Sequence, residues 1–218
     1  MTTTLHPRLA ERANLDALRE AWRRTRWIRV EDALAPGLAE AIADAALEHR
    51  FEVFARHERD VRAFFFRQIH AYPQAGEAPS FGPIERVRDL LVRDVPALAT
   101  AITGQRLDAI DNAGVAIDCY TRGSYLDAHT DQGPGRLVAF VVGLTRDRWS
   151  AEDGGWLERL APDERTVIDR VPPGFGTIDL FTIHPLLRPH RVALLRTHVT
   201  RLSINGWLTG ELVGPEEG

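Results

Sequence analysis

The first hundred residues show the spacing typical of amphipathic helices. Apolar residues recur three and four positions apart over residues 14–27 and 36–49, which places them on one face of a helix. Residues 83–103 repeat this pattern, with Gly104 as a natural terminator and Pro96 expected to kink or restart the helix. The aromatic-rich segment 60–72 is expected to be a strand. The sequence therefore predicts a helical first half with one added strand.

The second half has the short apolar runs and frequent turn residues of an all-β unit. Strands are predicted at residues 107–120, 125–130, 137–144, 155–160, 166–171, 176–181, 190–195 and 199–208. This number of short strands in about a hundred residues is what a double-sheet jelly roll requires. We therefore predict an α+β fold in which a helical support segment, residues 1–106, packs on a double-stranded β-helix core, residues 107–210, as one integrated domain.

Composition narrows the possible chemistry. All 27 basic residues are arginine, since the chain contains no lysine, which excludes a pyridoxal Schiff base and a lysine phosphate clamp. The single cysteine, Cys119, excludes an internal disulfide and a cysteine-rich metal site. The net charge is -4 with no basic block, so neither nucleic acid nor membrane is an expected partner. No signal peptide or membrane span is evident, and a cytoplasmic location is expected.

Any bound metal must then be held by histidine and carboxylate side chains. His129 and Asp131 are separated by one residue, and in a strand this spacing points both side chains to the same face. A hairpin that turns near residues 195 and 196 would place His190 opposite Arg201. Two histidines and one carboxylate leave three coordination positions open, as in non-haem Fe(II) oxygenases.

Those open positions suit a 2-oxo acid, which chelates through its carboxylate and keto oxygen. Its distal carboxylate needs a partner with two donors in one plane, and the guanidinium of Arg201 supplies that geometry. Ser203 lies two residues further along the same predicted strand and could donate a hydrogen bond. The phenol of Tyr120 could bind the same carboxylate.

The order of these motifs resembles the prolyl 4-hydroxylase-like family of 2-oxoglutarate- and Fe(II)-dependent dioxygenases. The matching pattern is Tyr120-x-x-Gly123-x-Tyr125-x-x-x-His129-x-Asp131, Gly154-Gly155-x-Leu157, Pro173-x-x-Gly176-x-x-x-x-Phe181, His190-x-Val192 and Arg201-x-Ser203-x-x-Gly206-Trp207. The resemblance implies a double-stranded β-helix with His129, Asp131 and His190 on Fe(II), with Arg201 and Tyr120 on 2-oxoglutarate. It also implies O₂ as oxidant, with ascorbate as a supporting reductant. Halogenases of the family have Gly or Ala at position 131, so Asp131 favours hydroxylation.

Five further residues are candidates for substrate contact. Asp127 is expected on the same strand face as the metal ligands, where it could bind a substrate ammonium group. His184 lies in a loop that could overhang the metal. Trp207 could form one wall of the oxo-acid pocket or fill the core, and the other two candidates are Arg136 and Trp156.

Without a recognisable peptide-recruitment domain, we expect a small, amino-acid-like substrate that is hydroxylated or otherwise oxidised. Three alternatives stay open. The chain could hydroxylate a protein or peptide side chain, as prolyl hydroxylases do. It could be a non-catalytic jelly-roll binding protein. It could also be a cupin-like metal enzyme that uses no oxo acid, in which case Arg201 would be dispensable for turnover.

Overall fold

The computed structural model describes residues 3–48, 51–56, 64–70, 84–109, 116–183, 186 and 188–211. The helices are α1 Arg12–Thr25, α2 Leu38–Leu47, α3 Ile84–Asp89 and α4 Val95–Thr103. The strands are β1 Trp27–Val30, β2 Glu52–Arg56, β3 Phe64–His70, β4 Asp108–Ala109, β5 Ala116–Tyr120, β6 Tyr125–His129, β7 Arg136–Leu144, β8 Leu157–Leu160, β9 Val167–Val171, β10 Phe175–Thr182, β11 His190–Val192 and β12 Arg201–Thr209. Among these helices none is long and apolar enough to cross a lipid bilayer.

Left-handed residues end two of the helices, and a proline marks the start of one of them. Arg26 takes a left-handed conformation after α1, and Gly104 does the same after α4, so both caps turn the chain out of the helix. The single helix predicted over residues 83–103 is divided into α3, a π-helical stretch Leu90–Asp94, and α4. Pro96 lies in the first turn of α4, where its missing N–H costs no helical hydrogen bond. The proline therefore restarts the helix.

The strand content differs from the sequence prediction in the first half. That half contributes three strands, β1, β2 and β3. Strand β3 lies within the run predicted at residues 60–72, β1 coincides with the entry strand that the family resemblance implies at Trp27, and β2 was not expected. Strand β1 has only four residues and pairs with β10, about 150 residues later in the chain, so its partner is invisible to local pattern. The run predicted as one strand over residues 107–120 contains β4 and β5, which pair with β12 in different registers, so it is not one continuous strand. Residues 110–115 lie outside the described residues.

The strands form an antiparallel jelly roll. They follow the order β1-β10-β7-β12-β5-β3-β6-β11-β8-β9, with β2 paired to β3 and β4 paired to β12. The predicted hairpin between β11 and β12 is wrong. His190 is paired with His129 of β6 and with Arg159 of β8, whereas Arg201 is paired with Tyr120 of β5.

The chain between β11 and β12 makes a crossover from one part of the sheet to another. It is held by hydrogen bonds from Gly155 N–H to the Ala193 carbonyl, 3.1 Å, and from Leu195 N–H to the Ser124 carbonyl, 2.9 Å. Gly154 has φ of 73°, and a Cβ there would strike the carbonyl of Leu194. Glycine is therefore required where this crossover packs against the turn before β8.

Alternate residues of the central strands separate two hydrophobic clusters. In β7, Phe140 and Val142 pack with the helices, whereas Ala139 and Val141 face the interior of the roll. This explains why β7 is apolar at nearly every position, since both of its faces are covered. The interior cluster, which we call the inner cluster, consists of Trp27, Tyr120, Ala139, Val141, Leu157, Phe181, Ile183, Val192 and Leu195. The candidate site lies beside it.

Candidate active site

Three predicted metal ligands come together at the paired strands β6 and β11. His129 and His190 are Cα partners across these strands, and their ring centroids are 4.2 Å apart. Asp131 follows β6, and its two carboxylate oxygens lie 3.2 Å from Nε2 of His129 and 3.1 Å from Nε2 of His190. One ligand atom from each residue lies within 4.8 Å of the others.

The second nitrogen of each imidazole points to a backbone carbonyl. Nδ1 of His129 lies 2.9 Å from the carbonyl oxygen of Asp127, and Nδ1 of His190 lies 3.4 Å from that of Arg188. A carbonyl can only accept, so Nδ1 carries the proton and donates it in each case. This contact fixes the tautomer and leaves Nε2 for a metal, as is usual for histidine ligands.

The electrostatics of Asp131 favour the ionised form that metal binding requires. Burial by itself would raise the pKa of Asp131, but the close contacts of the carboxylate with His129 and His190 outweigh it and hold the pKa well below its usual value. The donor set of two imidazole nitrogens and one carboxylate fits Fe(II) and leaves room for a chelating co-substrate. A cation between the three groups would be contacted by the carboxylate and by the Nε2 atom of each histidine.

Aromatic side chains of β1 and β10 support the His190 ring. Phe181 contacts it edge to face with centroids 4.8 Å apart, and Trp27 lies 6.2 Å away in the same T-shaped geometry. Trp27 and Phe181 stack on each other at 4.3 Å. Both belong to the inner cluster, so the metal ligands border an apolar wall that excludes water.

Arg201 is buried in the interior of the roll, on the strand β12. Its guanidinium lies 5.0 Å from the centroid of the Tyr120 ring, and its Nη1 is 3.4 Å from the carbonyl oxygen of Gly155. It lines a small cavity together with Ser203, whose side chain is also buried. Burial lowers the pKa of Arg201, an effect opposed by Tyr120 and by nearby carboxylates. A buried cation in a cavity is a suitable partner for an anionic ligand.

A second arginine in the same cavity already has its partner. Arg29 of β1 forms two hydrogen bonds, of 2.8 and 2.7 Å, with the carboxylate of Asp179 on β10. Burial raises the pKa of Asp179, while Arg29 and then Arg201 act in the opposite direction. The sequence analysis did not select this pair. The signal for it was an acidic residue in the otherwise apolar strand segment Ile178–Phe181, since a buried acid requires a cation.

Two predicted substrate residues are stacked on each other near the metal centre. The guanidinium carbon of Arg136 lies 3.6 Å from the centroid of the Trp207 ring, a close cation–π contact. Nη1 of the same arginine is 3.3 Å from the backbone carbonyl oxygen of Asp131. Trp207 is partly buried against the inner cluster. Arg136 and Trp207 therefore border the metal centre as one unit.

The other three substrate candidates are placed differently. Trp156 lies under the guanidinium of Arg170, 5.3 Å from the ring centroid. The side chain of Asp127 is exposed. It is the backbone carbonyl of this residue that contacts the site, by accepting a hydrogen bond from His129. His184 lies outside the described residues.

A surface groove opens next to the metal ligands, and the sequence analysis missed it. We call it the arginine groove, because Arg24, Arg159 and Arg188 line it. Thr130, the residue between two of the ligands, also lines it. The pKa of Arg188 is lowered, first by burial and then by the neighbouring charge of Arg159. The groove could not be predicted from the sequence, because the three arginines come from α1, β8 and the segment before β11, which are far apart along the chain.

Comparison with known proteins agrees with this geometry. Residues 115–209 match the family model described as the 2OG-Fe(II) oxygenase superfamily. The matched segment is less than half of the chain and includes His129, Asp131, His190 and Arg201. This match confirms the resemblance found in the sequence motifs, and the resemblance implies Fe(II), 2-oxoglutarate and O₂ as cofactor and co-substrates.

One similar curated protein is the prolyl 3,4-dihydroxylase OGFOD1 of Ostreococcus tauri, which is 34% identical to this chain over 104 residues. The match covers 42% of this chain and 20% of that relative, so the chain spans about a fifth of its length.

Solved structures show the same fold. A Pseudomonas putida prolyl-4-hydroxylase is 22% identical with a TM-score of 0.61, and the match covers 90% of this chain and 99% of that one. The 2-oxoglutarate-dependent epimerase SnoN of nogalamycin biosynthesis is 17% identical with a TM-score of 0.64, covering 95% of this chain and 92% of that one. Relatives with different reactions therefore share the jelly roll.

Proposed function

We propose that this chain is an Fe(II)- and 2-oxoglutarate-dependent hydroxylase that oxidises a C–H bond of a small, amino-acid-like substrate. The observation that carries the proposal is the convergence of His129, Asp131 and His190, in a chain that also buries the guanidinium of Arg201. When bound there, Fe(II) and 2-oxoglutarate supply the oxidising power from O₂, and the oxo acid leaves as succinate and CO₂.

His129, Asp131 and His190 hold the metal in this proposal. The two imidazoles are oriented before metal arrives, because their Nδ1–H groups donate to backbone carbonyls. The carboxylate supplies the negative charge of the site and is kept ionised by its contacts with both rings. Ordered ligands lose little conformational entropy on metal binding.

Arg201, Tyr120 and Ser203 hold 2-oxoglutarate. The guanidinium of Arg201 has the fork geometry for the distal carboxylate, and its burial limits competition from water. The Tyr120 ring lies beside the guanidinium and is itself buried, so its phenol is close to the same carboxylate. Arg29 neutralises Asp179, which leaves Arg201 available for the co-substrate.

Arg136 and Trp207 position the substrate at the border of the metal centre. The contact of Arg136 with the carbonyl of Asp131 ties this pair to the ligand loop. An aromatic face covered by a guanidinium leaves the outer donors of Arg136 directed away from the ring, where they can bind substrate oxygen atoms.

A second candidate function is hydroxylation of a prolyl side chain in a peptide. It is favoured by the similarity to a prolyl 3,4-dihydroxylase. Solved structures below 25% identity support the fold alone and do not choose between these substrates.

Substrate-stimulated release of succinate tests both candidates. The protein, with Fe(II), 2-oxoglutarate and ascorbate, is screened against free amino acids and against capped proline-containing peptides of the same composition. Stimulation by amino acids supports the first candidate, and stimulation by peptides alone replaces it with the second. Asp131→Ala is the control, because it removes the only anionic ligand and should abolish both stimulation and Fe(II) binding. Absence of any decarboxylation, with or without a compound that binds, would contradict an oxygenase and favour a binding protein.

A further inference from the structure

The arginine groove begins at the metal ligands themselves. Arg159 of β8 is the Cα partner of His190, which in turn is the partner of His129. Directly opposed residues of antiparallel strands point to the same face, with Cβ atoms about 5 Å apart. The side chain of Arg159 therefore leaves the sheet on the metal-binding face. Thr130 and Pro189, each adjacent in sequence to a ligand, line the same groove.

The groove has more positive charge than its own residues compensate. Its described lining contains three arginines and one carboxylate, Glu164. Nη2 of Arg159 lies 3.6 Å from Asp169, but more than half of that side chain is exposed, which makes the pair weak. The charges of Arg159 and Arg188 also repel each other. Like charges placed together in a partly buried groove cost free energy that an anion would offset.

The hydrogen bonding of Arg159 also indicates that the described groove has too few negatively charged partners. Its Nε atom is buried and has no acceptor within the described part of the chain. Arg29 shows the contrast, since two of its nitrogens are bonded to one carboxylate at 2.7 and 2.8 Å. Both Nε and Nη2 of Arg29 are thus bonded to a carboxylate, whereas Nε of Arg159 is left without an acceptor among the described residues.

We propose that the arginine groove binds a carboxylate or phosphate of the substrate through Arg159 and Arg188, while the carbon to be oxidised lies at the metal centre. This inference rests on the proposed function and adds a substrate class to it: an anionic substrate. Guanidinium groups bind carboxylates and phosphates through two parallel hydrogen bonds. The groove also has apolar lining at Leu160, Ile168 and Leu186, which suits a hydrocarbon part between the anion and the reacting carbon.

Anion binding can be measured directly on the arginine side chains. The full-length protein is labelled with ¹⁵N-arginine, loaded with Zn(II) and 2-oxoglutarate, and titrated with inorganic phosphate or acetate at constant ionic strength. The Nε–H resonances of Arg159 and Arg188 are expected to shift to saturation. Arg106, an exposed arginine that does not line the groove, is the internal control. Equal, non-saturating shifts at all three arginines would overturn the proposal.

Matched compounds then identify the source of the anion. One pair is N-acetylproline and its amide, and the other is a capped proline-containing peptide with glutamate and its glutamine counterpart. The acid of at least one pair is expected to bind about tenfold more tightly than its neutral analogue, the effect of one charge-assisted hydrogen bond. Arg159→Gln and Arg188→Gln should remove this preference, while Arg106→Gln should retain it. Equal affinity within both pairs would refute the proposal.

This test is separate from that of the proposed function. The arginine resonances and the affinities are measured without turnover. If the protein binds anions but never releases succinate, the anion-binding proposal stands and the hydroxylase proposal fails. Gln substitutions keep the length and polarity of the side chain. The amide spectrum of each variant reports whether it folds.

Discussion

The buried ion pair between Arg29 and Asp179 gives the sharpest test of how the oxo-acid cavity is built. The substitution Arg29→Met keeps most of the side-chain volume and removes the charge. It leaves a carboxylate, with 3% of its side chain exposed, without the guanidinium that now donates to it twice. Breaking a buried pair from one side costs about 3–5 kcal/mol. Because 16% of the Arg29 side chain is exposed, we expect the lower end, about 3 kcal/mol.

The loss of stability should depend on pH in a defined direction. Burial already raises the pKa of Asp179, and removing Arg29 raises it further. A carboxyl group with a raised folded-state pKa is favourable below its unfolded value and becomes unfavourable as the pH rises through the folded value. The deficit of Arg29→Met is therefore expected to be largest at neutral pH and to shrink toward pH 4.

The same substitution should weaken co-substrate binding. The charge of Asp179 acts on Arg201, and without Arg29 it competes with 2-oxoglutarate for that guanidinium. We expect the KM for 2-oxoglutarate to rise about tenfold, which corresponds to about 1.4 kcal/mol. The double variant Arg29→Met/Asp179→Leu should recover both stability and KM, because removing both partners of a buried pair is often nearly neutral.

Urea unfolding followed by tryptophan fluorescence, at pH 7 and pH 5, measures the first two effects, and succinate release measures the third. A loss of less than about 1 kcal/mol in the free energy of unfolding, together with an unchanged KM, would refute the reasoning, because removing one partner of a buried ion pair is expected to destabilise the protein by more than that. Failure of the double variant to recover would show that Arg29 acts through something other than Asp179.

Three further predictions test other parts of the structure. Arg201→Ala should raise the KM for 2-oxoglutarate about 100-fold in succinate assays, because it removes a charge-assisted pair worth about 3 kcal/mol. An unchanged KM would show that Arg201 does not bind the oxo acid. Gly154→Ala should lose about 2–3 kcal/mol in urea unfolding, because its Cβ meets Leu194, whereas the matched Gly104→Ala, with φ of 75° and no neighbour within 4 Å, should lose about 1 kcal/mol. Hydrogen bonds from Thr166 and the backbone lower the pKa of Asp163 to about 2, so its contribution to stability is expected above about pH 4 and lost toward pH 2. Carboxyl NMR should find this midpoint near 2, and Thr166→Val should move it upward.

Local spacing made part of the site predictable from sequence. His129 and Asp131 are two residues apart, and the periodicity of a strand together with the turn after it is enough to bring them together. Strand β7 was equally visible, because a long apolar run with a turn at each end has few other interpretations. The positions of β5 to β12 follow the predicted runs to within a few residues, apart from the beginning of the first run and the end of the run at residues 190–195.

Non-local pairing made the rest unpredictable. The hairpin joining His190 to Arg201 was the simplest local interpretation, but the chain between them crosses over and is anchored to Ser124 and Gly155. Such anchors depend on residues far away in sequence. The arginine groove is a similar case, since Arg24 and Arg159 come from segments more than a hundred residues apart and each looks like an ordinary surface arginine.

The backbone at Asp131 has φ of 57°, in the left-handed region where residues with a Cβ are disfavoured by about 1 kcal/mol and glycine is not. A single base change in an aspartate codon yields glycine. At this position such a mutation would remove a metal ligand and relieve backbone strain in the same step, so the fold would tolerate it. The left-handed turn thus gives this scaffold an easy evolutionary route from a three-ligand centre to a two-histidine centre with one more open position for an exogenous anion.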